Sequence, residues 1–211
     1  MRKYKLTNQK LQTYCGFQWE IGKWEKAKGS ANQDLCSDGW LHAYDSPLLA
    51  ALHNTIHADI PNPKLFEAKV KGQRKNDNNL KCGYRQMQLV QEIPLPKITI
   101  TQRIAYAILC AKKVYKEKYW NRWADNWLSG KDRSISTAAY AAADATADYA
   151  ADATADYAAA YAAAYAAADA ADVVYAAAYA ADYVAANAAA AADAVNKKLN
   201  LKKIAKEAMK Y

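Results

Sequence analysis

The sequence predicts an α+β fold: a small α+β module over residues 1–97, then an all-α, Ala-rich helical bundle over residues 98–211. Three observations predict it. All five Pro and six of the seven Gly precede residue 98, so the first half is built of short segments and turns. Residues 137–195 hold 35 Ala, 8 Tyr, 8 Asp, 4 Val, 3 Thr and Asn187, with no Gly or Pro. Ala is the best helix former, and nothing in that stretch interrupts a helix. Pro94 and Pro96 mark the boundary between the two halves.

In the first module, Phe17 to Ile21 alternates apolar and polar residues as a half-buried strand does. Trp40–Tyr44, Leu65–Val70 and Tyr84–Ile93 are further strand segments. Ser46 is placed to cap a helix from Leu48 to His57, with Pro47 at its first position, where a missing N–H is harmless. Asn76 to Asn79 reads as a polar loop.

In the second module, Thr101 is the expected cap of a helix from Gln102 to about Tyr119, with Ile104, Ala107, Ile108 and Ala111 as its apolar stripe. Trp120, Trp123 and Trp127 follow on one helical face, read as a buried ridge clamping the modules, and Ser129-Gly130 stops that helix. The octet Ala143–Ala150 recurs unchanged as Ala151–Ala158. Tyr157, Tyr161 and Tyr165 step by four, and Tyr175, Tyr179 and Tyr183 repeat the step. A single helix over this segment would run about 88 Å. Several helices folded back on one another are expected instead, with turns near Ala166–Val174 and near Asn187. Leu199 to Met209 reads as a final basic amphipathic helix.

Charge is segregated. Net charge is +6 over residues 1–97, +5 over 98–136, −8 over 137–195 and +5 over 196–211. With so acidic a block present, the basic balance reads as a solvated surface rather than a nucleic-acid footprint. No run is apolar enough to suggest a membrane span, and the start lacks the apolar core of a secretory signal. Cys15, Cys36, Cys82 and Cys110 form no CxxC pair, which points to reduced thiols and a cytoplasmic setting.

Few motifs carry chemistry. His53 and His57 are one helical turn apart, but Asn54 stands where a zinc protease would have its general-base Glu. Cys36, His42 and Cys82 are too scattered for a usual zinc site, and nothing supports Cys15 and His42 as a nucleophile pair. Phosphate-loop and nucleophile-elbow motifs are absent. The chain is therefore expected not to be an enzyme and to need no cofactor or metal. Asp144, Asp148, Asp152 and Asp156 form an i, i+4 acidic ladder, and Tyr149, Tyr157, Tyr161 and Tyr165 accompany it. Tyr is a favoured interface residue, so these eight are the candidate partner-binding surface. Trp40, His42, Arg74 and Arg85 are candidates for a nucleotide or ADP-ribose-like ligand in the first module.

Residues 4–97 resemble an uncharacterised domain family of phage and bacterial proteins. The resemblance rests on Cys15 to Gly22, Leu35 to Ala43 and Ser46 to Leu48, together with Phe66–Val70 and Leu89–Leu95. Arg103–Ala111, Trp123–Ser134 and the Ala-rich run resemble the immunity-like helical domains of polymorphic-toxin systems. These resemblances imply a phage or mobile-element setting. The leading expectation is a phage-type accessory protein in the host cytoplasm that inhibits or decoys a host or defence protein through its Tyr/Asp-rich helices. The alternatives are a ligand sponge or degenerate transferase in the first module, and a structural role through self-assembly as a homo-oligomer.

Overall fold

The computed structural model describes residues 2–77, 80–151, 163, 165–167, 184–185, 187–192 and 199–211. The fold is α+β, and the chain divides into two compact units, Met1–Lys97 and Ile98–Tyr211.

The first unit is an antiparallel sheet of β1 (Lys3–Thr7), β4 (Trp24–Lys26), β5 (Leu41–Ala43), β6 (Lys64–Asp77) and β7 (Lys81–Ile93), with the small ribbon β2 (Gln12–Thr13) and β3 (Phe17–Gln18). β6 and β7 form a long hairpin. β1 pairs with the first half of β6, and β4 and β5 pair with successive parts of β7. Tyr4 N–H then donates to Tyr44 O at 3.0 Å, and Tyr44 N–H donates to Tyr4 O at 2.8 Å. That exchange closes β1, β6, β7 and β5 into a ring, which removes two open edges. The inner face carries Trp19, Leu41, Ala43, Phe66, Ala68, Cys82, Tyr84, Met87 and Leu89 as its buried core.

Two helical turns follow β5. Ser46 accepts from Leu49 N–H and caps α1 (Pro47–Leu52), as its sequence requires. The expected helix to His57 is broken: His53 sits at φ −93°, ψ 12°, and α2 (Asn54–His57) is a separate turn. The expected strand at Phe17–Ile21 is cut to β3, because Trp19 turns into the core and Ile21 makes only an isolated bridge to Leu89. β6 runs on to Asp77, where a loop was expected from Asn76.

The second unit is helical. Its first helix, α3 (Ile100–Val114), is capped by Thr99 rather than Thr101, through a capping box with Gln102, and ends before Tyr115. Ile104 to Ala111 are all buried, where one apolar stripe was expected. A helix buried all round lies at the centre of its unit. α4 (Lys118–Ser129) carries the Trp ridge. Trp120 packs edge-on to Tyr115 at 5.6 Å and donates from Nε1 to Ala163 O at 3.1 Å. Gly130, at φ 76°, ends α4 in the left-handed conformation that Gly tolerates best. α5 (Ile135–Ala151) turns Ala138, Ala141 and Ala145 inward, and Ala163, Ala166, Ala167, Ala185 and Ala188 are wholly buried. α6 (Leu201–Ala208), capped by Asn200, lays Leu201, Ile204, Ala205 and Ala208 into the unit and packs on α3. Residues 187–192 are helical, so no turn falls at Asn187. Residues 165–167 are also helical, and most of the other expected turn lies outside the described residues.

Close Ala packing leaves no room for a larger side chain. Ala107→Leu is expected to destabilise the helical unit by about 1–3 kcal/mol, while Ala139→Leu on the exposed face of α5 is expected to be near neutral. Thermal unfolding followed by far-ultraviolet circular dichroism checks both; equal effects would contradict this packing.

Candidate functional site

The inner face of the ring holds charged groups that a small core ordinarily excludes. β1 points Lys3, Lys5 and Thr7 toward the same side as Phe66 and Ala68, their register partners on β6. Lys3 is 1% exposed, Lys5 9% and Thr7 0%. Each lysine is handled differently. Lys3 Nζ donates to Asp45 Oδ1 and lies 5.7 Å from the centre of the Tyr84 ring. Burial works against the Lys3 charge, but its bonds to Asp45 and Tyr84 outweigh that and hold its pKa above the ordinary lysine value. Lys5 lies 5.3 Å over the Trp19 ring, where burial, aided by repulsion from Lys81, pushes its pKa down to about 8.

Asp45 serves two cations. Its Oδ2 lies 3.8 Å from Arg74 Nη2. The same nitrogen donates to Cys82 Sγ at 3.1 Å, and the Cys82 thiol donates to Asn76 Oδ1 at 3.3 Å. Asp45, itself held by Lys3, and Cys82 therefore anchor Nη2 of the Arg74 guanidinium. Nε and Nη1 of Arg74 have no protein partner among the described residues. The residue borders an open recess of about 350 Å3 walled by Ala31, Asn32, Trp40, Gln73, Arg74 and Lys75. Lys75 Nζ donates to Gln33 O at 2.9 Å on the same side. A fixed guanidinium fork beside an ammonium and two side-chain amides suits a phosphate or carboxylate group.

The four residues expected to bind a ligand separate into two roles. Trp40 and Arg74 wall the recess. Trp40 is 6% exposed and donates from Nε1 to Gln33 O at 3.0 Å, so it shapes the wall rather than offering a stacking face. Arg85 is taken up by the backbone: it donates to Gly39 O, to Gly29 O at 2.7 Å and to Ala27 O at 3.5 Å, with its guanidinium 5.8 Å from the Trp40 ring centre. It clamps the 27–39 loop that forms the far wall. His42 does not wall the recess and bonds Leu35 O through Nε2; burial, with Lys5 nearby, pushes its pKa down to about 4. Gly83 lies under Trp40, and a Cβ there would meet Trp40 Cβ at 2.9 Å. Lys3, Asp45, Asn76 and Cys82 gave no signal in sequence, because no short spacing links them.

On the helical unit, Asp144 is exposed on α5, on the same outer stripe as Tyr140, which is 78% exposed. Tyr165 is 39% exposed. The side chains of Asp148 and Tyr149, and all of Asp152, Asp156, Tyr157 and Tyr161, lie outside the described residues. Tyr140 sits one helical turn before Asp144, and its spacing was visible in the sequence. The Trp ridge is mostly buried within its own unit, with Trp120 against Trp123 at 5.5 Å and Arg133 4.6 Å over Trp127. No described helix is long and apolar enough to cross a membrane.

Residues 1–101 match the model of a domain of unknown function, DUF7666. The match takes in the whole sheet ring, both wall segments of the recess and the first residues of α3. Neither the curated proteins nor the solved structures gave a match to the chain. The matched residues 1–101 carry the charged group around Asp45, and the Ala-rich helices lie outside the match.

The cost of burying Lys5 is testable. Its folded pKa of about 8 is below its ordinary 10.5, so below pH 8 the folded state bears the full penalty of an enclosed charge. Lys5→Met is expected to stabilise the N-terminal unit at pH 7 by on the order of 2 kcal/mol. The gain should shrink as pH rises from 8 to 10.5, where the unfolded lysine also loses its proton. Urea unfolding of both proteins at pH 7 and pH 10 checks it; a pH-independent difference would show that Lys5 charge is not at issue.

Proposed function

We propose that the protein is a phage-type accessory factor that works by binding in the cytoplasm of a bacterial host. Its N-terminal unit captures a small anionic ligand, of the phosphate-bearing nucleotide or ADP-ribose class, in the Arg74 recess. One observation carries this reading: Arg74, one of the residues that wall the recess, is anchored through Nη2 by Asp45 and Cys82. An arginine held in that way loses little further freedom on binding an anion, so the ligand gains affinity by preorganisation. Gln73 and Asn32 add donors around the same opening, and Lys75, which lies 3.9 Å from Asp34 Oδ1, adds a second cation. Among the described residues that wall the recess there is no paired acid and base, which favours capture over turnover. Isothermal titration with pyrophosphate, AMP and ADP-ribose tests it. Binding by at least one, lost at least tenfold in Arg74→Gln, is expected. No binding by any of the three, or equal binding by the variant, would end the ligand reading.

A second observation favours protein binding by the helical unit. Tyr140, Asp144 and Ile135 are exposed on α5, and Ile135 is 59% exposed. Exposed aromatic and acidic side chains on one helix suit a basic protein partner, and an inhibitor or decoy of a defence component would present such a surface. Tyr140→Ala together with Asp144→Asn is expected to remove a partner recovered on the intact chain from phage-infected lysate. Retention of that partner at full yield would place the interface elsewhere.

A further inference from the structure

The sheet carries a second cationic patch, built from residues that do not wall the Arg74 recess. β7 runs between β6 and β4, and the same residues of β7 pair with both. Gln88 is the partner of Lys69 on β6 and of Trp24 on β4. Two residues along, Gln86 is the partner of Lys71 and of Lys26. Partners across a ladder share a face, and so do residues two apart on one strand. The rows Lys69-Gln88-Trp24 and Lys71-Gln86-Lys26 therefore lie side by side on one face. Lys71 Nζ joins them, 3.9 Å from the centre of the Trp24 ring. Lys26, Lys69 and Lys71 are exposed, while Trp24, Gln86 and Gln88 are half-buried.

The patch has one sign of charge. None of its six residues is acidic, and the carboxylates on flanking positions are engaged with other cations. Glu20 and Glu25 lie 3.6 and 3.3 Å from Lys23 Nζ, Glu67 lies 3.3 Å from Arg2 Nη1, and Glu92 lies 3.4 Å from Lys64 Nζ. Lys26, Lys69 and Lys71 form no ion pair among the described residues. The −8 of residues 137–195 masks this local excess in the whole-chain balance. Adjacent strands are about 4.8 Å apart, so each row spans about 10 Å, and the rows are separated by about 7 Å along the strands. Three cations thus surround one indole in an area of nucleotide dimensions.

We propose that this face binds single-stranded nucleic acid, with a base stacked on Trp24 and the flanking phosphates held by Lys26, Lys69 and Lys71. Charge complementarity selects a polyanion, and the indole selects one whose aromatic faces are open. A duplex keeps its base faces inside the stack, and its major groove is read by an inserted helix or ribbon rather than by the flat of a sheet. An acidic peptide would satisfy the lysines and leave the indole idle. The exposed contact of Lys71 with Trp24 is a weak one, so an incoming base displaces it and the freed ammonium turns to a phosphate. Gln88 Nε2 donates to Gly22 O and is fixed beneath the base, while Gln86 offers its amide to a base edge.

Fluorescence anisotropy of the full chain with a labelled oligothymidylate of about 12 nucleotides is the experiment. Three phosphate contacts on a single strand give a log–log salt slope of about −2, so Kd is expected to rise about twentyfold between about 50 and 200 mM salt. Lys69→Gln combined with Lys71→Gln is expected to weaken binding at least tenfold and to flatten the slope to about −0.7. Trp24→Leu is expected to weaken binding at least fivefold with the slope unchanged, because an indole releases no counterions. Arg74→Gln is expected to bind as the wild type does, which separates this face from the ligand recess. No binding at low salt, equal binding by the double lysine variant or by Trp24→Leu, or a loss in Arg74→Gln as large as in the double lysine variant would overturn the proposal. So would a duplex of the same length, or polyglutamate, bound as tightly as the oligothymidylate. Should Trp24→Leu fail to fold, an abasic strand of the same length decides on the wild type. It keeps the phosphates without the bases, and binding equal to that of oligothymidylate would overturn the stacking platform.

Discussion

Two backbone hydrogen bonds between Tyr4 and Tyr44 turn an open sheet into a ring, and much of the N-terminal unit depends on that closure. β1 reaches the sheet only through β6, and β5 only through β7. Their junction brings Lys3 beside Asp45, the residue that directly follows the closing pair. With Asp45 in place, Arg74 gains its anchor, and the recess gains a fixed cation. Tyr44 itself is the platform on which His57 stacks. One backbone contact thus positions both Asp45 and Tyr44.

The charges enclosed by the ring oppose its stability. Lys3 is satisfied by a carboxylate, but Lys5 has only the Trp19 ring, and Lys81 only a cysteine sulfur, among the described residues. Apolar residues at such positions would normally serve stability better than ions. An excess of buried cations is a poor way to build a core. Lys3, Lys5 and Lys81 are enclosed and do not wall the recess, whose cations are Arg74 and Lys75.

The helical unit follows another logic. Its central helix is buried along residues 104–111; α6, with Leu201 and Ile204 turned inward, packs on it, while α5 turns Ala138, Ala141 and Ala145 inward. The large apolar groups are concentrated on α4, where Trp120, Trp123 and Trp127 fill what Ala leaves open. Such packing gains from helix propensity and close approach, because each Ala buries little area. It leaves Tyr and Asp for the outside, as Tyr140 and Asp144 show.

The sequence by itself determined the class of each half, the cap at Ser46 and the stop at Gly130. These depend on local propensity and spacing, which act within a few residues. It did not disclose β1, because Lys3 and Lys5 occupy inward positions where alternation calls for apolar residues. Nor did it disclose how far β6 continues, or that α3 is buried all round. Of the candidate ligand residues, Trp40 and Arg74 meet at one recess, while Arg85 bonds the 27–39 loop and His42 bonds Leu35 O. Only the tertiary structure decided this. Arg74 owes its setting to Lys3, Asp45 and Cys82, which are far apart along the chain and meet because the ring closes. An ion's neighbours, and so its charge and its use, are set by long-range pairing that no local pattern encodes.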